Sequence, residues 1–214
     1  MKNLHCILMV LALAALLAAG IAATSLAQGA CEVPVAPPDT AAASATTEET
    51  PQVQLKVDTA FAYCALEMTG SYDQHSAAFE KLYSESMKQG IYGGMPFGVY
   101  WNSPSDTPVE KLKWDLGFVM PAGKTPVAPL ALKKWEYTTM ASLKFTGEFG
   151  GQPMVDAYGR LFQWIGENGY QPAGPMMETY LNTPSQDEKG MWFGTIEISV
   201  PVQKAPPAKA VKAK

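Results

Sequence analysis

The sequence predicts an α+β domain made of two strand-helix-strand-strand modules, about 55–121 and 132–201, related by a pseudo-twofold axis. An antiparallel sheet carries both helices on one face and a ligand groove on the other. Three observations lead there. First, four blocks recur in one order: TGSY (69–72) as TGEF (146–149), AFEKLYSESMKQGIY (78–92) as AYGRLFQWIGENGY (157–170), PFGVYWNSPS (96–105) as PMMETYLNTPS (175–185), and LKWDLGFVMP (112–121) as WFGTIEISVP (192–201). Self-similarity in a fixed order marks a duplicated unit. Second, each unit places a helical stripe between stretches rich in β-branched and aromatic residues. Third, a single unit leaves one sheet face bare, whereas two joined edge to edge complete an ordinary layered packing.

The elements follow in order. VDTAFAYCALEMTGSY and KWEYTTMASLKFTGEF each open a copy as one strand that closes at a glycine loop. In the first copy Ala78, Phe79, Leu82, Tyr83 and Met87 form the helical stripe, and Gly90 stops it. In the second, Met154, Val155, Tyr158, Leu161, Phe162 and Ile165 do so, with Pro153 in the first turn and Gly169 at the end. Trp164 lies on this helix outside the groove. Two strands joined across NSPSDTP or NTPSQDEKG close each module, and the turn-rich AGKTPVAPLALK connects the copies.

Outside the repeat, Lys2, an apolar run from Cys6 to Ala23 and Ser25-Leu26-Ala27 read as a secretory signal peptide over 1–27, cut after Ala27. That places the rest of the chain in the periplasm or outside the cell. Two other fates stay open. The run is nearly long enough to remain as a membrane anchor. Cys31 could carry lipid, although Gln28 stands where a lipidation motif needs an aliphatic residue. Residues 28–52 read as a flexible tether and 204–214 as a disordered basic tail. The intervening 53–203 has the length of one ordinary domain.

The whole chain has 16 Lys and Arg against 20 Asp and Glu, a net charge of −4, which argues against a nucleic-acid surface. Cys64, in the middle of an apolar strand, reads as a buried thiol. Neither Cys31 nor Cys64 has metal-site spacing, so neither a metal nor a cofactor is expected.

One acid is out of place. Glu178 interrupts the half-apolar strand PMMETYLNTPS, and buried carboxylates are costly without a partner. Alternation puts Met176, Glu178 and Tyr180 on one face. The repeat makes Gly98 the counterpart of Glu178 and Tyr100 that of Tyr180, so a single acid and two tyrosines flank one groove, with room left at Gly98. Further candidate walls are Tyr63, Trp101, Trp114, Tyr137 and Trp192.

The element order and the phrase Glu178-Thr179-Tyr180-Leu181-Asn182 with Pro184 resemble the GyrI-like small-molecule-binding family, the effector-binding domain of AraC-type and MerR-type regulators. The resemblance spans about 53–203. It implies that Glu178 faces a groove that takes lipophilic, often cationic, ligands among aromatic rings. Some members of that family hydrolyse strained cyclopropane compounds, which makes Glu178 the catalytic residue if this chain is an enzyme. A related duplicated fold occurs in SOUL-type haem-binding proteins, so an axial-ligand role is open to His75. Its polar neighbours Asp73, Gln74 and Ser76 make it an ordinary helix-start residue instead.

The expected function is therefore capture of a small lipophilic or cationic molecule by an exported binding protein. The alternatives are a hydrolase using Glu178 as base or nucleophile, or a structural module whose groove holds a partner's side chain. Membrane contact is expected only through an uncleaved N-terminus or a lipidated Cys31.

Overall fold

In the computed structural model, which describes residues 52–206 except Tyr92, the order is β1 (Gln54–Val57), β2 (Phe61–Thr69), α1 (His75–Lys88), β3 (Phe97–Tyr100), β4 (Lys113–Val119), β5 (Leu130–Trp135), β6 (Thr139–Glu148), α2 (Gln152–Glu167), β7 (Tyr170–Pro172), β8 (Met176–Tyr180), β9 (Ser185–Gln186) and β10 (Trp192–Lys204). The predicted signal segment, the tether up to residue 51, Cys31 and the tail from residue 207 lie outside the described residues. Lys204, read as the start of the disordered tail, is instead the last residue of β10, paired with Tyr170. Among the described residues no helix is long and apolar enough to cross a membrane.

The sheet order β1-β6-β10-β8-β3-β4-β2-β5 reads as a mirror about its centre, with every pairing antiparallel. Each copy contributes its three strands in the same relative order, as the repeat predicts. The axis falls between β3 and β8, where Gly98 pairs with Glu178, flanked by Phe97–Thr179 and Val99–Met177. The two counterparts in sequence are thus direct cross-strand neighbours.

The opening strand of each copy differs from the sequence reading. Each is two strands rather than one, broken at residues 58–60 and 136–138. β1 crosses to pair with β6 of the other copy, and β5 crosses to pair with β2. The Asp58 amide donates to the Thr138 carbonyl where the two segments pass, at 2.7 Å. Asp58-Thr59 and Glu136 are the local signals, since acids fit poorly in strands. The exchange clasps the halves together.

Both helices lie on one face. α1 buries Ala78 and Leu82 against Leu66, Leu116 and Phe118, while α2 buries Met154, Ala157, Leu161 and Ile165 against Leu143, Ile196, Ile198 and Val200. Gly90 and Gly169, at φ +61° and +69°, turn the chain away after each helix, a backbone conformation that glycine adopts without a Cβ clash. Two stripe residues are displaced. Met87 is 71% exposed and Ser86 takes its inward position, and Phe162 is exposed beside buried Leu161. On the face without helices, Tyr63, Ala65, Phe97, Val99, Trp135, Met140 and Met177 form a third apolar cluster. Cys64 is buried and free, as expected.

Candidate functional site

Cross-strand neighbours in an antiparallel sheet share a face. Leu66, Leu116, Gly98, Glu178, Ile198 and Leu143 follow one another across the sheet by register, and all point toward the helices. Glu178 therefore faces the helices and not the open face, which corrects the placement read from sequence. Alternation shows which residues share a face, but not which face the helices choose. The acid lies over the central strands at the seam between the α1 and α2 halves. Met176 packs against the cores beneath both helices, and Tyr180 meets Phe79 of α1 edge-on at 5.1 Å.

Glu178 is 6% exposed. Its Oε2 accepts from the Tyr100 hydroxyl at 3.0 Å, and its Oε1 accepts from the Tyr158 hydroxyl of α2 in a short contact. The Tyr180 phenol neighbours that of Tyr100 and feels the Glu178 charge. Among the described residues no lysine, arginine or histidine forms an ion pair with Glu178. Burial pushes its carboxyl above the usual carboxylate range, against the pull of the two phenol hydrogen bonds. Burial, and then the Glu178 charge, raise Tyr100 and Tyr158 well above an ordinary phenol, so both remain donors. Tyr72, further out, is pushed up to about 12 by the same two causes.

The room expected at Gly98 is occupied. Tyr100 lies back along its own strand, and a Cβ on residue 98 would come 2.7 Å from its hydroxyl oxygen. The missing side chain is what lets the phenol reach Glu178. Gly98→Ala should displace that hydroxyl and cost about 1–3 kcal/mol by overpacking. Tyr100→Phe should then cost nothing further when added to Gly98→Ala. Chemical denaturation of the wild type, the two single variants and the double variant checks this, and an unchanged stability for Gly98→Ala would contradict it.

A second tier surrounds Tyr100. His75, at the first turn of α1, stacks on Trp114 with centroids 4.5 Å apart. Its Nε2 lies 2.9 Å from the Tyr100 hydroxyl, and its Nδ1 makes a short hydrogen bond to the Tyr72 carbonyl. Both ring nitrogens are engaged inside the protein. His75 does open α1, as read from the sequence, but its ring turns inward instead of to water, and neither nitrogen is left for a haem iron. Trp114 donates to the Gly70 carbonyl at 3.2 Å, and Tyr72 meets Tyr100 edge-on at 5.2 Å.

The remaining wall candidates lie elsewhere. Tyr63 and Tyr137 are on the open face, where a cavity of about 250 Å³ is lined by residues that include Phe61, Phe97, Trp135, Met140 and Met177. That cavity shares no lining residue with the Glu178 cluster. Trp192 opens β10, 37% exposed and outside all three cores, so it closes no part of the site. Trp101, 42% exposed, donates from Nε1 to Asp115 at 2.9 Å on the open face.

Asp115 is a second buried acid that sequence reasoning passed over. It accepts from Tyr63 at 3.1 Å and from Lys133 at 2.9 Å to each oxygen, and Lys133 also holds Glu67 at 2.7 Å. The two buried acids therefore differ in kind. Asp115 has its cation built in, and Glu178 has only phenols. An acid inside an apolar strand was the available signal for both. Tyr158, read only as helix packing, left no signal of its role.

The sequence profile of the GyrI-like small molecule binding domain matches residues 51–203. DNA gyrase inhibitor 2 of Dickeya dadantii is 30% identical over 125 residues, covering 54% of this chain and 76% of its own length. The DNA gyrase inhibitor of Salmonella typhimurium is 31% identical over 133 residues, covering 59% and 81%. Among solved structures, the C-terminal domain of EcmrR superposes with a TM-score of 0.60 at 16% identity, over 73% of this chain and 100% of that one. That likeness is one of fold.

Proposed function

This chain belongs to the GyrI-like small-molecule-binding domain family, and from that premise we propose that it is an exported binding protein that takes a lipophilic cation at the seam between α1 and α2, with Glu178 as the counter-charge. The observation that carries the reading is the contrast between its two buried acids. Asp115 is matched by Lys133, whereas Glu178 is buried among phenols with no cation beside it. A cation arriving from outside supplies the missing charge.

The magnitudes are sufficient. A cation about 4 Å from a carboxylate gains on the order of 4 kcal/mol at an effective dielectric of 20. Each aromatic face adds about 0.5–2 kcal/mol. Part of this is spent on ionising the acid and opening the seam, since Glu178 is closed off before a ligand enters. Micromolar affinity remains within reach after ordering costs.

The N-terminal pattern supports export, and mature protein from its host should begin at or near Gln28. N-terminal sequencing that finds Met1 intact would contradict that. Export would also separate this chain from the inhibition of DNA gyrase for which its relatives are named, because gyrase acts inside the cell.

Benzyltributylammonium and its neutral isostere, with carbon in place of the charged nitrogen, test the ligand class. Titration calorimetry at pH 7.5 should show the cation binding at least tenfold more tightly. Equal affinities would contradict the counter-charge role.

A further inference from the structure

The hydrogen bonds around Tyr100 cannot all be made in every protonation state. The Tyr72 carbonyl only accepts, so the proton of that contact belongs to His75 Nδ1. Tyr100 has one hydroxyl proton and two partners that can take it, His75 Nε2 at 2.9 Å and Glu178 Oε2 at 3.0 Å. If His75 is neutral and Glu178 ionised, one of these two contacts has no proton. With one more proton both are filled, in either of two ways. Glu178 is protonated and donates to Tyr100, which donates to His75. Alternatively His75 is protonated and donates to Tyr100, which donates to ionised Glu178.

We propose that His75, Tyr100 and Glu178 form a proton relay that holds one shared proton and passes it from the acid to the imidazole when Glu178 is needed as an anion. In the transfer the Glu178 Oε2–H bond breaks as Tyr100 Oη takes that proton, and the Tyr100 O–H bond breaks as its own proton passes to His75 Nε2. The proton count is unchanged, the phenol is regenerated, and one positive and one negative charge are created. His75 is a positioning residue here, acting on Glu178 through Tyr100.

The surroundings suit such sharing. Burial holds Glu178 above its usual range and His75 below its own, which brings the two proton affinities toward each other. The other titratable groups facing the relay are Tyr158 and Tyr180 at the acid end, and Tyr72 and Asp73 at the imidazole end. The three tyrosines are held in their neutral form by burial. Trp114 covers one face of the imidazole and Phe79 lies tilted beside it, and neither carries charge. The consequence is that Glu178 can become an anion inside the closed seam without exchanging a proton with solvent, the balancing charge resting on His75 until that proton leaves and a ligand cation takes its place. Strongly coupled groups of this kind titrate as a pair.

The relay lies in the proposed ligand site, but its test uses no ligand, so either reading can fail alone. Nitrogen-15 NMR of the full chain follows His75 Nε2 from pH 4 to 9, with its signal identified by its loss in His75→Gln. In the wild type the signal should titrate in two steps, because the shared proton spends time on the imidazole between them. In Glu178→Gln it should titrate in one. In Tyr100→Phe, which keeps the ring and removes the bridge, it should also titrate in one. A single step in the wild type would overturn the proposal. Two steps surviving in Tyr100→Phe would overturn it too, since the coupling would then pass through space.

Discussion

Asp115→Ala is expected to destabilise the protein by about 3–5 kcal/mol, the cost of breaking one side of a buried ion pair. The substitution removes the acceptor for Tyr63, Trp101 and Lys133 together. Tyr63 is fully buried and cannot turn to water, and a stranded buried hydroxyl alone costs about 1–3 kcal/mol. Lys133 is partly relieved, because Glu67 still holds it and its side chain is 25% exposed, so the lower end of the range is expected. Urea denaturation at pH 7 gives the value. A loss under about 1 kcal/mol would show that the open-face network is not a structural anchor.

Glu178→Gln is expected to act in the opposite direction at neutral and alkaline pH. The native environment raises the carboxyl's pKa, so the fold favours its neutral form. Any stability tied to that proton is fully present below the unfolded-state pKa and is lost as pH rises through the folded value. Each tenfold weakening of the acid by burial costs the ionised native state about 1.4 kcal/mol. Glutamine is neutral throughout, can accept from one phenol and can donate to the other. The variant should therefore match the wild type near pH 4 and exceed it increasingly toward pH 8. Denaturation across that range, reported as the difference between the two proteins, checks it. A variant less stable at pH 8 than at pH 4, relative to wild type, would show that the anion is already compensated in the native state.

Much of this arrangement was legible because the sequence repeats. The spacing of the two copies made Gly98 the counterpart of Glu178, and the register places them side by side on the axis. Alternation correctly grouped Met176, Glu178 and Tyr180. The side on which that group lies was not legible, since the central strands bury apolar side chains on both faces. β2 is buried without interruption from Tyr63 to Leu66, and so is the whole of β3. Hydropathy alone cannot say which layer contains the helices when both layers are apolar.

The remaining misses have local causes. His75 is surrounded in sequence by polar residues, and a short 3-10 turn at Tyr72–Gln74 leads into α1, whose first residue carries its ring inward. Tyr158 falls in the correct apolar stripe, but periodicity reports burial and says nothing about where a hydroxyl ends. The crossing of β1 and β5 depends on pairing between distant segments, which the chain advertises only through Asp58 and Glu136.

The central claim is that Glu178 is a counter-charge for a ligand cation and not a buried structural acid. Calorimetric titration of wild type and Glu178→Gln with benzyltributylammonium and its neutral isostere measures that claim most directly. Glutamine keeps the shape of the site and removes only its capacity for charge. The cation should lose about 100-fold in affinity, equivalent to about 2.8 kcal/mol, while the isostere changes by less than about threefold. Equal losses for both ligands, or none for the cation, would contradict the account.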